Sequence, residues 1–157
     1  MERQLITLVI IVLTFCPPVW ARIGESLDAC NKRYGSGQFW RADGGRYIAE
    51  YHKNSIRVKV TFLRNSSGGE WIAEGMFYKK QRPGTFTAND IETLISVNTR
   101  RGEWFNISED ADRYVFWRNY NAGLTATLDP SATVLFIMSD KLAGVLDEQQ
   151  EKALQGF

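Results

Sequence analysis

The feature of this chain that most constrains its fold is a strict alternation of apolar and polar residues near its middle. Every second residue from 56 to 62 is apolar, and Arg57, Lys59 and Thr61 stand between them. Successive side chains of a β-strand point to opposite faces of the sheet, so this pattern is typical of a strand with one buried face. The pattern therefore predicts a half-buried strand at this position.

Turn signals on both sides place this strand in an antiparallel meander. The segments 43–45 and 54–55 are hairpin-type turns, because their glycine and asparagine residues tolerate positive φ. The polar loop at 65–69 leads into a further apolar segment. We expect the segments within Gln38–Lys80 to pair with their neighbours along the chain.

Three helices are predicted, each with a recognisable start. Ser26 caps a short first helix, which stops at Gly35 because glycine readily adopts the left-handed conformation of a helix end. Thr87 caps a second helix, and Asp90 forms a short-armed variant of the capping box. The third helix begins at Asp140 and carries an apolar stripe.

The second half of the chain is also predicted to form strands followed by a helix, although its amino-acid sequence does not repeat that of the first half. Residues 113–120 are aromatic-rich and predict a strand, whereas residues 133–138 are apolar on both faces and predict a central strand covered on both sides. The expected order is helix, three strands, helix, three strands, helix. We therefore predict an α+β domain of antiparallel sheet meanders with a short N-terminal helix, a middle helix and a C-terminal helix.

Residues 1–21 have the pattern of a signal peptide. Leu5–Phe15 is an almost continuous apolar run, two prolines follow it, and small residues precede a cleavage position between Ala21 and Arg22. The run is shorter than the ~20 apolar residues of a spanning helix, which argues against an uncleaved anchor. We expect an exported protein, periplasmic or secreted, in which residues 22–157 form a single domain.

The cysteine content limits the disulfide bonds that the chain can form, and the net charge limits the classes of partner that we expect. Removal of the signal peptide takes Cys16 away, so Cys30 has no cysteine to pair with inside the mature chain. Cys30 is either a buried small apolar residue or a thiol that pairs between chains, and burial is the usual case. The formal net charge is only +1, which gives no reason to expect nucleic acid as a partner. Membrane contact is expected only through the transient signal peptide.

No catalytic residue, metal site or cofactor is predicted. His52 is the only histidine and alternates with Glu50 on a strand, so a solvent-facing position is expected. One histidine and one thiol are too few ligands for a closed zinc site. The glycine pairs at 44–45 and 68–69 lack the lysine and hydroxyl of a phosphate-binding loop, and we interpret them as turns.

Aromatic residues of the second half are the candidate binding residues. We single out Trp104, Phe105, Trp117 and Tyr120. Large aromatic residues occur at both odd and even positions of the strand at 113–120. Because alternate side chains of a strand point to opposite faces, one set of these aromatics points away from the sheet core. An exposed aromatic face is typical of a partner or glycan site. The alternative is that the C-terminal helix covers this face.

Several short blocks carry a resemblance to known proteins. The segment RIGES at 22–26, followed by Cys30 and by RYG at 33–35, resembles the RIGE(S/T)…C…RYG mature N-terminus of uncharacterised small bacterial exported proteins. Similar proteins also share a midchain set and a C-terminal set of residues, here Asp90, Ile91, Glu92, Leu94, Asn98, Trp104 and Leu154-Gln155-Gly156-Phe157. The resemblance implies export and no known activity. A helix followed by a meander also looks like the β-lactamase-inhibitor-protein-like envelope modules, which is a likeness of fold alone.

The function we expect is that of a non-catalytic envelope or secreted binding module. Its partner would be another envelope or secreted protein, engaged through the aromatic second half or a sheet edge. Substitution of Trp117 is expected to abolish that binding without unfolding the protein. One alternative is a carboxylate-dependent hydrolase acting on cell-wall glycan, which needs two carboxyl groups about 5–10 Å apart across a cleft. The other is a purely structural envelope protein, which would expose no aromatic patch.

Overall fold

The computed structural model describes residues 22–81, 84–99, 101–108 and 113–155. Within them the chain forms α1 (Leu27–Tyr34), β1 (Gln38–Ala42), β2 (Arg46–Lys53), β3 (Ile56–Arg64), β4 (Trp71–Lys80), α2 (Ala88–Val97), β5 (Phe105–Asn106), β6 (Val115–Asn119), β7 (Leu124–Leu128), β8 (Val134–Ser139) and α3 (Asp140–Gln155). The predicted signal peptide, with Ala21, lies outside the described residues. Arg22 is described and exposed.

The α+β class predicted from the sequence is confirmed. Each half of the chain has four strands in the described residues, so the expected count of three per half is wrong. The difference lies at the edges of the sheet. β1 is exposed along almost its whole length and β5 has only 2 residues, so neither buries a face that would impose an alternating pattern.

All eight described strands form one antiparallel sheet in the order β1-β2-β3-β4-β8-β7-β6-β5. Each half is a meander of neighbouring strands, and the halves join where β4 pairs with β8, from Gly75↔Met138 to Lys79↔Val134. α2 connects the end of β4 to the far edge strand β5. The second meander therefore returns towards the first, and the last strand of the chain lies at the centre of the sheet.

One side of the sheet, here called the inner face, packs against α1 and α2. Its fully buried residues include Tyr51, Val58, Tyr78, Leu135 and Ile137. Cys30 from α1 and Leu94 and Ile95 from α2 belong to the same apolar core. Burial of apolar surface is the dominant favourable contribution to folding, so this face is the main source of stability.

Within the described residues, a helix covers the opposite side, here called the outer face, only at one end. α3 follows β8 directly and places Leu142 against Gly75, where an added Cβ would lie 2.5 Å from the leucine Cδ2 atom. Further along α3, the Gln149 side chain reaches the turn at Gly44. The outward residues of β8 stay half-buried. The expected cover on both sides of residues 133–138 is therefore wrong, because the helix crosses one end of the strand and leaves the rest open.

The residues before α1 are held by β4 in the manner of a short extra strand. The Gly24 N–H donates to the Ala73 carbonyl (2.6 Å), and the Ala73 N–H donates to the Glu25 carbonyl (2.8 Å). Ser26 caps α1 by accepting a hydrogen bond from the first helical turn. Arg33, near the end of α1, donates to both oxygens of the Glu25 carboxylate, at 3.1 and 2.5 Å. The block that carries the sequence resemblance thus fixes the start of the fold.

Candidate binding groove

A groove of about 920 Å³ lies between α2 and the strand pair β5–β6 at one edge of the sheet. Its walls are mainly apolar, and two carboxylates stand at its rim. Its lining includes Ile91, Glu92, Ile95, Glu103, Trp104 and Trp117. A volume of this order accommodates a drug-sized molecule or a few side chains of a peptide.

One wall of the groove is a face of α2. Ala88, Ile91 and Ile95 follow one another at spacings of three and four residues, so they share one side of the helix. Leu94 points into the core and is 1% exposed. In the sequence, Ile91, Leu94 and Ile95 have the spacing of one helical face, which predicts that all three are buried together. The structure leaves Ile91 half-buried, because the sheet does not extend under that side of the helix and the groove takes its place.

The start of α2 is fixed by the capping box that the sequence predicted. Thr87 Oγ1 accepts a hydrogen bond from the Asp90 N–H (3.2 Å), and the Asp90 carboxylate accepts one from the Thr87 N–H (2.9 Å). Lys80 at the end of β4 also donates to the Asp90 carboxylate (2.9 Å). These hydrogen bonds, the one from Lys80 above all, hold the pKa of Asp90 below its ordinary value. The wall is therefore anchored to the sheet at its first turn.

The second wall begins with Trp104, whose orientation is set by hydrogen bonds. Its indole Nε1 donates to Thr99 Oγ1 (2.5 Å), and Thr99 Oγ1 donates to the Ile95 carbonyl (3.0 Å). Asn119, fully buried at the end of β6, donates to the Arg101 carbonyl (3.0 Å) and ties the preceding loop to the sheet. The indole is thus held before a ligand arrives, which lowers the entropy cost of binding.

Trp117 completes the groove from β6. It lies on the inner face and pairs with Ala126 of β7, and this small partner leaves room for the indole. Trp117 is half-buried and packs against the core. At the rim, Glu92 and Glu103 are exposed, and in the described parts of the chain neither forms an ion pair. The groove therefore combines fixed aromatic walls with a negative rim.

The four aromatic residues singled out from the sequence do not form one site. Trp104 and Trp117 line the groove, whereas Phe105 and Tyr120 lie on the outer face. Phe105 pairs with Arg118, the chain neighbour of Trp117, and neighbours on a strand point to opposite faces. The Phe105 and Tyr120 rings lie 6.1 Å apart and are 50% and 66% exposed. Parity along the strand was the signal in the sequence that separates Trp117 from Tyr120.

An exposed aromatic patch remains on the outer face. This outer patch consists of Phe105, Tyr114, Phe116 and Tyr120. Arg118 beside it donates two hydrogen bonds to the Asp140 carboxylate at the start of α3, both at 2.6 Å. The same bonds lower the pKa of Asp140. From there α3 runs across β4 towards the β1–β2 turn, and it leaves these four rings uncovered.

The remaining candidate groups are His52 and Cys30. His52 is exposed on the outer face, 3.3 Å from Glu50. Cys30 is fully buried, and burial raises the pKa of its thiol to about 12. No cluster of three or more His, Cys, Asp or Glu residues suited to a metal ion occurs in the described ranges. Among the same residues, no helix combines the length and the apolar character needed to cross a bilayer.

The described part of the chain defines a broad class of fold, an antiparallel sheet with two helices on one face and one helix on the other. A solved structure similar to it is that of a cysteine-rich secretory protein from Staphylococcus aureus, with a TM-score of 0.50 and 8% sequence identity. The match covers 76% of this chain and 45% of that protein, so this chain spans less than half of its length. At this identity the likeness concerns the fold alone. No family model and no curated protein matches the chain.

Proposed function

We propose that this protein is an exported, non-catalytic binding module whose groove takes an apolar peptide segment flanked by basic residues. The partner is another envelope or secreted protein. The observation that carries the proposal is the groove between α2 and β6, with two indoles and two isoleucines in its walls and carboxylates at its rim. The signal-peptide pattern of residues 1–21 supports a location outside the cytoplasm.

The chemistry of the groove favours a partner that is both apolar and basic. Aromatic anchors in a desolvated pocket supply most of the binding free energy of a typical interface. Glu92 and Glu103 add a negative potential at the rim, which accelerates association with a cationic partner and disfavours an anionic one. A lysine or arginine next to an apolar anchor satisfies both conditions.

Synthetic peptides test the rim charges. Two short peptides share an apolar centre and differ only in their flanks, which are lysine in one and glutamate in the other. Fluorescence anisotropy should show that the protein binds the lysine-flanked peptide at least about ten-fold more tightly. Glu92→Gln should remove most of this preference. Glu148→Gln makes the same change on an exposed position of α3, on the other face of the sheet, and should preserve it.

Trp117 and Phe116 are neighbours on β6 that point to opposite faces of the sheet. Their alanine variants therefore show, in the same assay, which face binds the peptide. Trp117→Ala should weaken binding of the lysine-flanked peptide by at least about ten-fold, because it removes a groove anchor. Phe116→Ala removes a ring of the outer patch and should leave binding unchanged. Circular dichroism melting checks that both variants fold. Equal binding of the two peptides by the unaltered protein, or loss of binding in Phe116→Ala alone, refutes the groove as the site.

A second candidate function is supported by the same pair of carboxylates. A carboxylate-dependent glycan hydrolase needs two carboxyl groups across a cleft, and Glu92 and Glu103 face one groove in which Trp104 offers a ring for sugar stacking. Incubation with purified cell-wall glycan distinguishes the two functions. A hydrolase releases new reducing ends and loses that activity in Glu103→Gln, whereas a binding module releases none.

A purely structural role is the least supported alternative. Such a protein would expose no aromatic patch, yet the four rings of the outer patch are between 38% and 66% exposed. Exposed aromatic clusters of this kind are typical of interaction surfaces. The outer patch therefore favours a binding function over a purely structural role.

A further inference from the structure

Three arginines surround a depression at the edge of the sheet opposite the groove. Arg41, Arg46 and Arg64, together with Gly45 and Trp71, line a volume of about 300 Å³. The strand order places this depression beside β1 and β2, whereas the groove lies beside β5 and β6. The two sites are therefore separated by the width of the sheet.

Two of the three guanidinium groups are held in place by the protein. Arg64 stacks on the Trp71 ring, with its Cζ atom 5.1 Å from the ring centroid, and its Nη1 donates to the Gly68 carbonyl (3.1 Å). Arg46 Nε donates to the Asp43 main-chain carbonyl (2.8 Å). Each of these contacts uses part of the guanidinium and leaves other N–H groups of the fork for a ligand.

The three guanidinium groups at this depression have no carboxylate partner among the described residues. In the described ranges no carboxylate forms an ion pair with Arg41, Arg46 or Arg64. Ion pairs are formed elsewhere by Arg33, Arg57 and Arg118. Like charges that line one small volume repel one another, and an anion placed between them relieves that repulsion.

We propose that this depression, here called the arginine pocket, binds a phosphate group carried by a soluble ester or by a lipid headgroup. Guanidinium forks pair with oxyanions through parallel N–H···O bonds. One carboxylate has two oxygens and satisfies a single fork well, whereas a phosphate group offers more oxygens in a tetrahedral arrangement that several forks can share. The pocket is distinct from the groove and does not depend on the function proposed for it.

Titration of the full protein with inorganic phosphate tests the pocket. In ¹H–¹⁵N spectra, phosphate should shift the Trp71 indole signal and the Gly45 amide signal saturably, and acetate at equal ionic strength should not. The Trp104 indole in the groove should not move. Arg41→Gln should weaken phosphate binding by about ten-fold, since it removes a charge-assisted donor. Lys79→Gln removes an equal charge from an exposed position at the far end of β4 and should have no effect.

Vesicle sedimentation identifies the source of the phosphate group. If the ligand is the phosphomonoester headgroup of a lipid, the protein should sediment with phosphatidylcholine vesicles that contain phosphatidic acid, not with vesicles of phosphatidylcholine alone, and Arg41→Gln should abolish this binding. If the ligand is a soluble ester, phosphate should shift Trp71 as above and Arg41→Gln should leave sedimentation unchanged. Absence of a saturable Trp71 shift, an equal shift with acetate, or equal weakening in Lys79→Gln overturns the proposal.

Discussion

At the scale of single residues, Asn98 is the polar side chain on which three parts of the chain meet. It is fully buried at the end of α2. Its Oδ1 accepts a hydrogen bond from the Ile23 N–H (3.0 Å), and its Nδ2 donates to the Tyr78 hydroxyl (3.1 Å) and the Leu94 carbonyl (2.7 Å). Buried polar groups are tolerated where such bonds are made. Asn98 thereby ties the N-terminal segment to α2 and to the inner face of the sheet.

Replacement of Asn98 by alanine should destabilise the protein by about 2–4 kcal/mol, because three hydrogen bonds in a buried site are lost together. Urea unfolding followed by circular dichroism measures the change. Asn89→Ala makes the same chemical change on an exposed position of the same helix and should alter stability by less than about 0.5 kcal/mol. Similar losses in both variants would show that Asn98 has no special role.

Cys30 should be chemically inert in the folded protein. Burial raises its pKa from 9.0 to about 12, so the reactive thiolate is nearly absent near neutral pH. Iodoacetamide should label Cys30 only after denaturant is added, with peptide mass spectrometry to distinguish it from Cys16. The unfolded thiol ionises first, so the contribution of Cys30 to stability should fall as pH rises from 9.0 towards about 12. Rapid labelling in native buffer would contradict this burial.

At the scale of the elements, the contact between α3 and β4 depends on a glycine. Gly75 pairs with Met138 on one side and with Thr61 on the other, next to an irregularity in the β3–β4 register. Any side chain at this position would meet Leu142, which is 1% exposed. The close approach of helix and sheet is therefore possible only because residue 75 lacks a Cβ atom.

A double-mutant cycle checks this contact. Gly75→Ala should destabilise by about 1–3 kcal/mol through overpacking, and Leu142→Ala by about 2–4 kcal/mol through a cavity. The added methyl group partly fills the space that Leu142 leaves, so the double variant should lose less than the sum of the two. Additive losses in urea unfolding would mean that the two residues do not touch.

Local elements of this fold could be predicted from the sequence, because their signals are local. The alternation at residues 56–62 and the Thr87–Asp90 capping box both rest on neighbours in the chain, and both are present in the structure. The pairing of β4 with β8 joins residues such as Phe77 and Phe136 that are distant in sequence. No short-range pattern encodes that contact, nor the choice of face made by α3.

The candidate site was predictable only in part for the same reason. Trp104 and Trp117 stand out as large aromatic residues, whereas Glu92 and Glu103 look like ordinary surface carboxylates in the sequence. Their common position at one groove follows from the packing of α2 beside β6. The division of the aromatics between two faces was implied by strand parity, yet Phe105 joins the outer patch only through its pairing with Arg118.

At the scale of the whole molecule, the two sites have opposite charge at opposite edges of one sheet. The groove carries two rim carboxylates, and the arginine pocket carries three guanidinium groups that form no ion pair within the described residues, although the formal net charge of the chain is only +1. The small net charge therefore does not reveal that one edge of the sheet is negatively charged and the other positively charged. A basic partner segment and an anionic group could bind at the same time without competing.

The central claim is that a basic, apolar peptide enters the groove and not the outer face. A ¹H–¹⁵N titration with the lysine-flanked peptide tests it directly, because Trp104 and Trp117 line the groove while Tyr120, 66% exposed, lies in the outer patch. We predict that the Trp104 and Trp117 indole signals shift together and saturate, while the Tyr120 amide signal stays in place. A saturable shift of the Tyr120 amide without shifts of the Trp104 and Trp117 indoles, or no saturable shift of either indole, would contradict the account.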